Sequence, residues 1–122
     1  MKKLIILFML FSGTTNAGKD IKILKIYEQF TLSSAAAGKC IKPKKEVLTA
    51  FLSNYQMVSV RALQQIKKLK PNITNKKASA ILKKGGAHAT NAVYKVIKSE
   101  GCGSKKIKDL IKRFHMQSRW KP

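Results

Sequence analysis

Residues 104–114 read SKKIKDLIKRF and show the clearest helical pattern in the chain. Their apolar positions recur at intervals of three and four, so the side chains fall on one face of an α-helix. These positions are Ile107, Leu110, Ile111 and Phe114. Ser104 is a favoured residue immediately before a first helical turn. The pattern therefore predicts a helix that begins after Ser104 and packs one face against a core.

The same spacing recurs through the rest of the chain, where glycine, proline and capping residues divide it into short segments. We predict further helices over Lys19 to Phe30, Pro43 to Met57, Ser59 to Pro71, Thr74 or Asn75 to Gly85-Gly86, and Ala87 to Ser99. Residues 33–38, SSAAAG, either extend the first helix or end it at Gly38, and Ile21 with Ile23 also fits a short strand. The prediction is an all-α fold: a single small domain of five or six short helices in an irregular bundle, with one disulfide.

The N-terminus has the pattern of an export signal. Lys2 and Lys3 precede an unbroken apolar run, residues 4–11, and Thr15-Asn16-Ala17 provides the small residues that a signal peptidase recognises. Eight helical residues rise only about 12 Å, against about 30 Å for a bilayer core, so the run is too short for a membrane anchor. We predict a signal peptide at 1–17, a helical cationic domain at 18–122 without a transmembrane segment, and a periplasmic or secreted location.

Two cysteines, Cys40 and Cys102, remain in the predicted exported domain. An even cysteine count in an exported chain favours a disulfide, which would stabilise the fold by about 4 kcal/mol in the chain-entropy model. Together with His88 and His115 the two thiols also make a zinc-compatible set. The short paired spacings of zinc modules are missing, so we favour the disulfide and predict no metal site.

Positive charge is the most unusual property of this sequence. Among 122 residues, 26 Lys and Arg stand against 5 Asp and Glu, which gives a formal net charge of +21. From Val47 to Ser99 there is no acidic residue, while ten cationic residues occur. An anionic partner would relieve the resulting self-repulsion. The alternative is a solvated surface in an organism whose proteins are generally rich in lysine.

Three predicted helices open with a lysine pair in the first turn. Lysine is unfavourable beside the positive end of the helix dipole, but with unpaired backbone N–H groups it makes an anion site. The pairs are Lys44-Lys45, Lys76-Lys77 and Lys105-Lys106. At the last pair, the glycines flanking Cys102 would allow a phosphate to approach the backbone, and Ser104 adds a hydroxyl. We therefore predict an anion-binding role for Ser104 and the six lysines.

The stretch Gly101 to Leu110, GCGSKKIKDL, locally resembles the second hairpin of helix-hairpin-helix DNA-binding modules, which have a Gly-x-Gly before a helix. The corresponding first copy would span Pro71 to Leu82, and there Asn72-Ile73-Thr74 replaces the glycine hairpin. The resemblance implies DNA-backbone binding but does not extend to both copies, so the chain is not assigned to this family.

The kinds of cationic and acidic residue restrict the function further. Lysine outnumbers arginine 23 to 3, and lysine lacks the planar fork that reads bases, so backbone-type binding is expected. Suitable partners are a nucleic acid backbone, lipopolysaccharide, another envelope polyanion, or anionic lipid contacted peripherally. An acidic protein surface is the alternative. Trp120, between Arg119 and Lys121, either stacks on a base or covers the edge of the core.

An enzymatic function is not expected. Hydrolytic chemistry usually needs a carboxylate, a metal or an activated nucleophile. Outside the first helix the acidic residues are only Glu46, Glu100 and Asp109, and no pattern around them marks a cleft. We predict a non-catalytic protein without a cofactor.

Overall fold

The computed structural model describes residues 22–121, and in this range the chain forms four α-helices and no strand. They are α1 (Lys22–Cys40), α2 (Lys45–Leu69), α3 (Asn75–Glu100) and α4 (Lys105–Ser118). Short connections make successive helices antiparallel. The prediction of a small all-α domain with one disulfide is confirmed. The predicted signal peptide, residues 1–17, lies outside the described residues.

The predicted number of helices is wrong, because two pairs of predicted helices are each one continuous helix. The segments 43–57 and 59–71 form α2, and the segments 74–86 and 87–99 form α3. Ser59 does not cap a helix start. Its Oγ donates to the carbonyl of Tyr55, 2.8 Å away and one turn earlier, so the hydroxyl is satisfied inside α2.

Gly85 and Gly86, which were expected to end a helix, lie inside one, and residues 33–38 extend the first helix through Gly38. Gly38 belongs to α1, and Gly85 and Gly86 belong to α3. A Cβ atom at Gly86 would lie 2.8 Å from Tyr27 Oη, closer than packed atoms can approach. Glycine at this position therefore serves close packing of α3 against α1 and does not mark a helix end.

Other predicted boundaries are confirmed by capping geometry. Thr74 Oγ1 accepts from Lys77 N at 3.1 Å, and Ser104 Oγ accepts from Ile107 N at 3.3 Å. Gly101 ends α3 with φ of 83°, a conformation that favours glycine. Pro43 lies before α2, since Lys45 is the first residue of that helix.

The core forms around α1, which contacts the other three helices. Its N-terminal half contributes Leu24, Tyr27 and Phe30 to an aromatic cluster in which the ring centroids of Phe51 and Phe114 are 4.4 Å apart. Its C-terminal half contributes Leu32, Ala35 and Ala36 to a second cluster, which also contains Ala89, Val93 and Ile107.

A short hydrogen-bonded chain crosses the first cluster. Thr31 Oγ1 donates to the Tyr27 carbonyl at 2.9 Å and accepts from Tyr55 Oη at 2.6 Å. Tyr27 Oη donates to the Leu82 carbonyl at 3.3 Å. Burial raises the pKa of the Tyr55 hydroxyl to about 12. These contacts connect α1 to both α2 and α3.

The disulfide joins Cys40, the last residue of α1, to Cys102 in the connection between α3 and α4. It closes a loop of 62 residues, for which the chain-entropy model gives about 4 kcal/mol. Both sulfur atoms are used in the bond, so the zinc set built on these thiols is excluded.

We expect Gly86→Ala to lower the free energy of unfolding by about 1–3 kcal/mol, because the new methyl group would press against Tyr27 Oη. Gly38→Ala is the matched control: a Cβ there meets nothing within 4 Å, and alanine is the better helix former by about 0.5–1 kcal/mol. Urea unfolding measures both. The cost of Gly86→Ala should shrink in a Tyr27→Phe background, and equal effects of the two alanines would contradict the close contact.

We expect Tyr55 to make stability depend on alkaline pH. In the unfolded chain its pKa returns to 10.0, so between about pH 10 and 12 the unfolded state loses the proton first. The contribution of the neutral Tyr55 hydroxyl to the free energy of unfolding is complete below about pH 10. About 2 kcal/mol is lost as the pH rises from about 10 to 12. The free energy of unfolding, measured by urea titration at each pH from 8 to 12, should fall more steeply for the wild type than for Tyr55→Phe. Lysine titration affects both proteins equally. If the free energy of unfolding depended on pH in the same way in both, the effect could not be assigned to Tyr55.

Candidate anion-binding surface

Every cationic side chain in residues 22–121 is exposed. Lys2, Lys3 and Lys19 precede this range, so 23 of the 26 Lys and Arg residues lie within it. Four of the five acidic residues lie there too. In this part of the chain a single ion pair forms, between Lys106 Nζ and Glu100 Oε2 at 3.7 Å. The described surface is therefore strongly cationic and almost uncompensated by internal pairing.

The structure places the three lysine pairs at helix starts but divides them between two ends of the molecule. The start of α2 follows Cys40 closely, and the start of α4 follows Cys102, so the disulfide brings Lys44-Lys45 and Lys105-Lys106 to one end, which we call the disulfide end. Lys76-Lys77 begins α3, whose 26 residues are about 39 Å long. That pair lies at the opposite end, so a compact anion cannot contact all three pairs.

The helix starts at the disulfide end differ in their free backbone donors. Lys44 precedes α2 and makes no side-chain cap, so the first amides of that helix keep no intrahelical partner. At α4, the Ser104 hydroxyl oxygen already accepts from Ile107 N. Its hydrogen remains a donor, and the amides of Lys105 and Lys106 remain without an intrahelical acceptor.

Acidic side chains also occur at the disulfide end. Glu46 lies in the first turn of α2, Glu100 pairs with Lys106, and Asp109 follows one turn into α4. Each of these three carboxylates is exposed. The lysine charge at this end is therefore partly offset.

The opposite end carries a larger cationic group, of which sequence reasoning singled out only Lys76 and Lys77. The connection between α2 and α3 spans only residues 70–74 and is closed by a hydrogen bond from Ile73 N to the Lys70 carbonyl at 3.0 Å. It brings the last turn of α2 beside the first turn of α3. We call the resulting set the hairpin cluster: Lys67, Lys68, Lys70, Lys76 and Lys77. The acid-free run 47–99 and the short Pro-Asn turn were the signals that could have identified it.

The remaining candidate residues have structural surroundings. His88 and His115 are half-buried, and the His115 ring lies edge-on to Phe114 at 5.4 Å. Within residues 22–121 no three His, Cys, Asp or Glu side chains are grouped so that they could hold a metal ion. Trp120 packs 5.9 Å from Phe30, and its carbonyl accepts from Asn54 Nδ2 at 2.9 Å. It therefore covers the edge of the core.

None of the four described helices is long and apolar enough to cross a membrane. Comparisons of the chain with protein-family models, with curated proteins and with solved structures found no match. Function is therefore inferred from the charges, contacts and surfaces of this chain.

Proposed function

We propose that this chain is an exported, non-catalytic binding protein that holds an anionic partner on its lysine-rich surface. The partner class is a nucleic acid backbone, lipopolysaccharide or another envelope polyanion. The observation that carries the proposal is the set of 23 exposed cations with one internal ion pair among residues 22–121. A surface of this kind repels itself, and a polyanion would remove the repulsion.

The side-chain chemistry supports recognition of charge and not of sequence. Lysine is a mobile point charge that suits phosphate and sulfate groups spaced along a polymer. Binding of this type releases counterions and weakens steeply with salt. The disulfide and the lack of a membrane-spanning helix among the described residues are compatible with a periplasmic or extracellular location.

Two kinds of contact with an anion can be tested separately: attraction by diffuse charge and directed hydrogen bonds. The hairpin cluster offers diffuse charge in a run, residues 47–99, without an acidic residue, whereas the start of α4 offers backbone amides and the Ser104 hydroxyl together with Lys105 and Lys106. Because Glu100 and Asp109 offset charge at the start of α4, any stronger effect there must come from directed hydrogen bonds.

We expect the double change Lys105→Gln with Lys106→Gln to weaken binding to heparin and to nonspecific duplex DNA more than Lys83→Gln with Lys84→Gln. Both variants lose two charges, but only the first pair lies at a helix start; Lys83 and Lys84 lie within α3. For duplex DNA, losing two phosphate contacts lowers the slope of log affinity against log salt by about two. Fluorescence anisotropy at several salt concentrations measures it.

A third variant, Lys76→Gln with Lys77→Gln, tests the hairpin cluster at equal charge loss. Equal affinity losses in all three variants, at equal thermal stability, would mean that only diffuse charge acts and that the start of α4 is not a site. No measurable binding of heparin, duplex DNA or lipopolysaccharide at low salt would overturn the proposed function.

An alternative function is favoured by one observation on α2. Leu48, Leu52 and Val60 are exposed large apolar residues on this helix. Solvent-exposed apolar residues near cations suit a protein interface, so the alternative is an interaction subunit or partner-blocking protein that meets an acidic protein surface.

Pull-down from an envelope fraction followed by nuclease treatment separates the two functions. A nuclease-sensitive or lipopolysaccharide-containing eluate supports the polyanion. A single protein band that survives nuclease, and that is lost with Leu48→Glu and Leu52→Glu but retained with Lys105→Gln and Lys106→Gln, supports the alternative.

A further inference from the structure

A groove lies between the N-terminal half of α1 and the C-terminal half of α4, away from the lysine pairs described above. Its volume is about 410 Å³, within the range of about 300–1,000 Å³ typical of small-molecule sites. Ile26, Phe30, Met116 and Trp120 form its apolar lining. Met116 is 57% exposed, the highest value among the exposed large apolar residues of the described chain.

The groove is preformed by contacts that the core maintains. Asn54 Nδ2 donates to the carbonyls of Gln117 and Trp120 at 2.8 and 2.9 Å, which fixes the end of α4 against α2. The Trp120 ring is held against Phe30, which is buried in the aromatic cluster. Because the walls are already ordered, a ligand would not have to order them on binding.

The edges of the groove are cationic. Lys22 and Lys25 line it from α1 and Arg113 lines it from α4, and all three are exposed. Arg113 Nη1 donates to Gln29 Oε1, which holds the guanidinium across the groove edge. No acidic residue is among the described residues that line it. Glu28 of α1 lies near enough to Lys25 to interact with it electrostatically, but it does not line the groove. An apolar floor with a cationic edge is complementary to an anionic amphiphile.

The dimensions distinguish an acyl chain from a peptide helix. The α1 residues that line the groove run from Lys22 to Phe30, a length of about 12 Å. A space of about 410 Å³ over this length can hold a single hydrocarbon chain. A helix with its side chains is about 10–12 Å across and would lie mostly outside it.

A second apolar groove provides a contrast. It lies between α3 and α4, has a volume of about 210 Å³, and is lined by Val93, Val96 and Ile107. Its charged lining residues are Lys106, which pairs with Glu100, and Asp109. It therefore has one cation and one carboxylate in its lining, whereas three cations and no carboxylate line the α1–α4 groove.

We propose that the α1–α4 groove binds one acyl chain of a single-chain anionic amphiphile, with the anionic headgroup held by Lys22, Lys25 and Arg113. This site does not use the lysine pairs of the proposed polyanion function, so either can fail without the other. The only tryptophan of the chain, Trp120, lines the groove and is an intrinsic probe of its occupancy.

The test uses the purified protein and dodecanoate below its micelle concentration. A chain-brominated dodecanoate should quench Trp120 fluorescence saturably and be displaced by unlabelled dodecanoate. Butyrate has the same carboxylate without the long chain and should bind at least about a hundredfold more weakly. Dodecyl maltoside has the same chain without charge and should bind about tenfold more weakly at low salt.

Variants locate the effect. Met116→Glu should weaken dodecanoate binding at least about tenfold, because it places a carboxylate on the groove. Leu52→Glu is the matched control, since Leu52 is 49% exposed on α2 and outside the groove, and it should bind as the wild type does. Because both residues are exposed, both variants should fold, and circular dichroism checks this. Loss of binding in Leu52→Glu with retention in Met116→Glu would overturn the assignment.

Other results would also overturn the proposal. Unchanged Trp120 fluorescence at all dodecanoate concentrations would show that the groove is closed to acyl chains. Equal binding of dodecanoate and dodecyl maltoside would remove the role of the cationic edge. Displacement of the quencher by an acidic amphipathic peptide but not by unlabelled dodecanoate would assign the groove to a protein partner. Affinity for DNA or heparin, which have no acyl chain, does not bear on these outcomes.

Discussion

The close approach of α1 to three neighbouring helices is the constraint on which the rest of the structure depends. A helix in that position must be apolar or small on most of its circumference, and residues 30–37 are almost continuously buried. The small residues Ala35 and Ala36 admit the backbone of a neighbour, and Gly86 of α3 makes room for Tyr27. A bulkier residue on either side would separate the helices and expose both core clusters.

This packing has to oppose a large electrostatic cost. Exposed lysines on α2 and α3 have no acidic residues between positions 47 and 99 to pair with, so their mutual repulsion favours expansion. The aromatic cluster, the hydrogen bonds of Thr31 and the disulfide act against it. Salt screens the repulsion but leaves those buried contacts intact, which makes the molecule more stable at higher ionic strength.

The features that could be predicted from sequence are those that local chemistry decides. Ser104 and Thr74 cap helices because their hydroxyls reach an amide three residues ahead, and Gly101 ends α3 because its φ is positive. Gly86 resembles such a signal, but its role depends on Tyr27 of another helix. Ser59 also resembles one, but its hydroxyl bonds the Tyr55 carbonyl inside the continuous α2. Local residue preference gives no information about a neighbour brought close by the fold.

The same distinction applies to the candidate sites. Lysine pairs at helix starts are visible in the sequence, but their division between two ends follows from the continuity of α3 through its glycines. The hairpin cluster forms because the connection after Leu69 is short. The α1–α4 groove forms because the end of the chain brings Trp120 against Phe30. These features depend on topology and alignment between helices, which periodicity within a single helix does not determine.

The uninterrupted length of α3 has one further consequence, which concerns valency. A rigid rod of about 39 Å separates the cations of the hairpin cluster from those at the disulfide end. Under the polyanion-binding function proposed above, cationic patches at its two ends would make one molecule bivalent toward anionic ligands. It would then bridge two polymer strands, or occupy two distant points of one strand with an effective local concentration set by the rod.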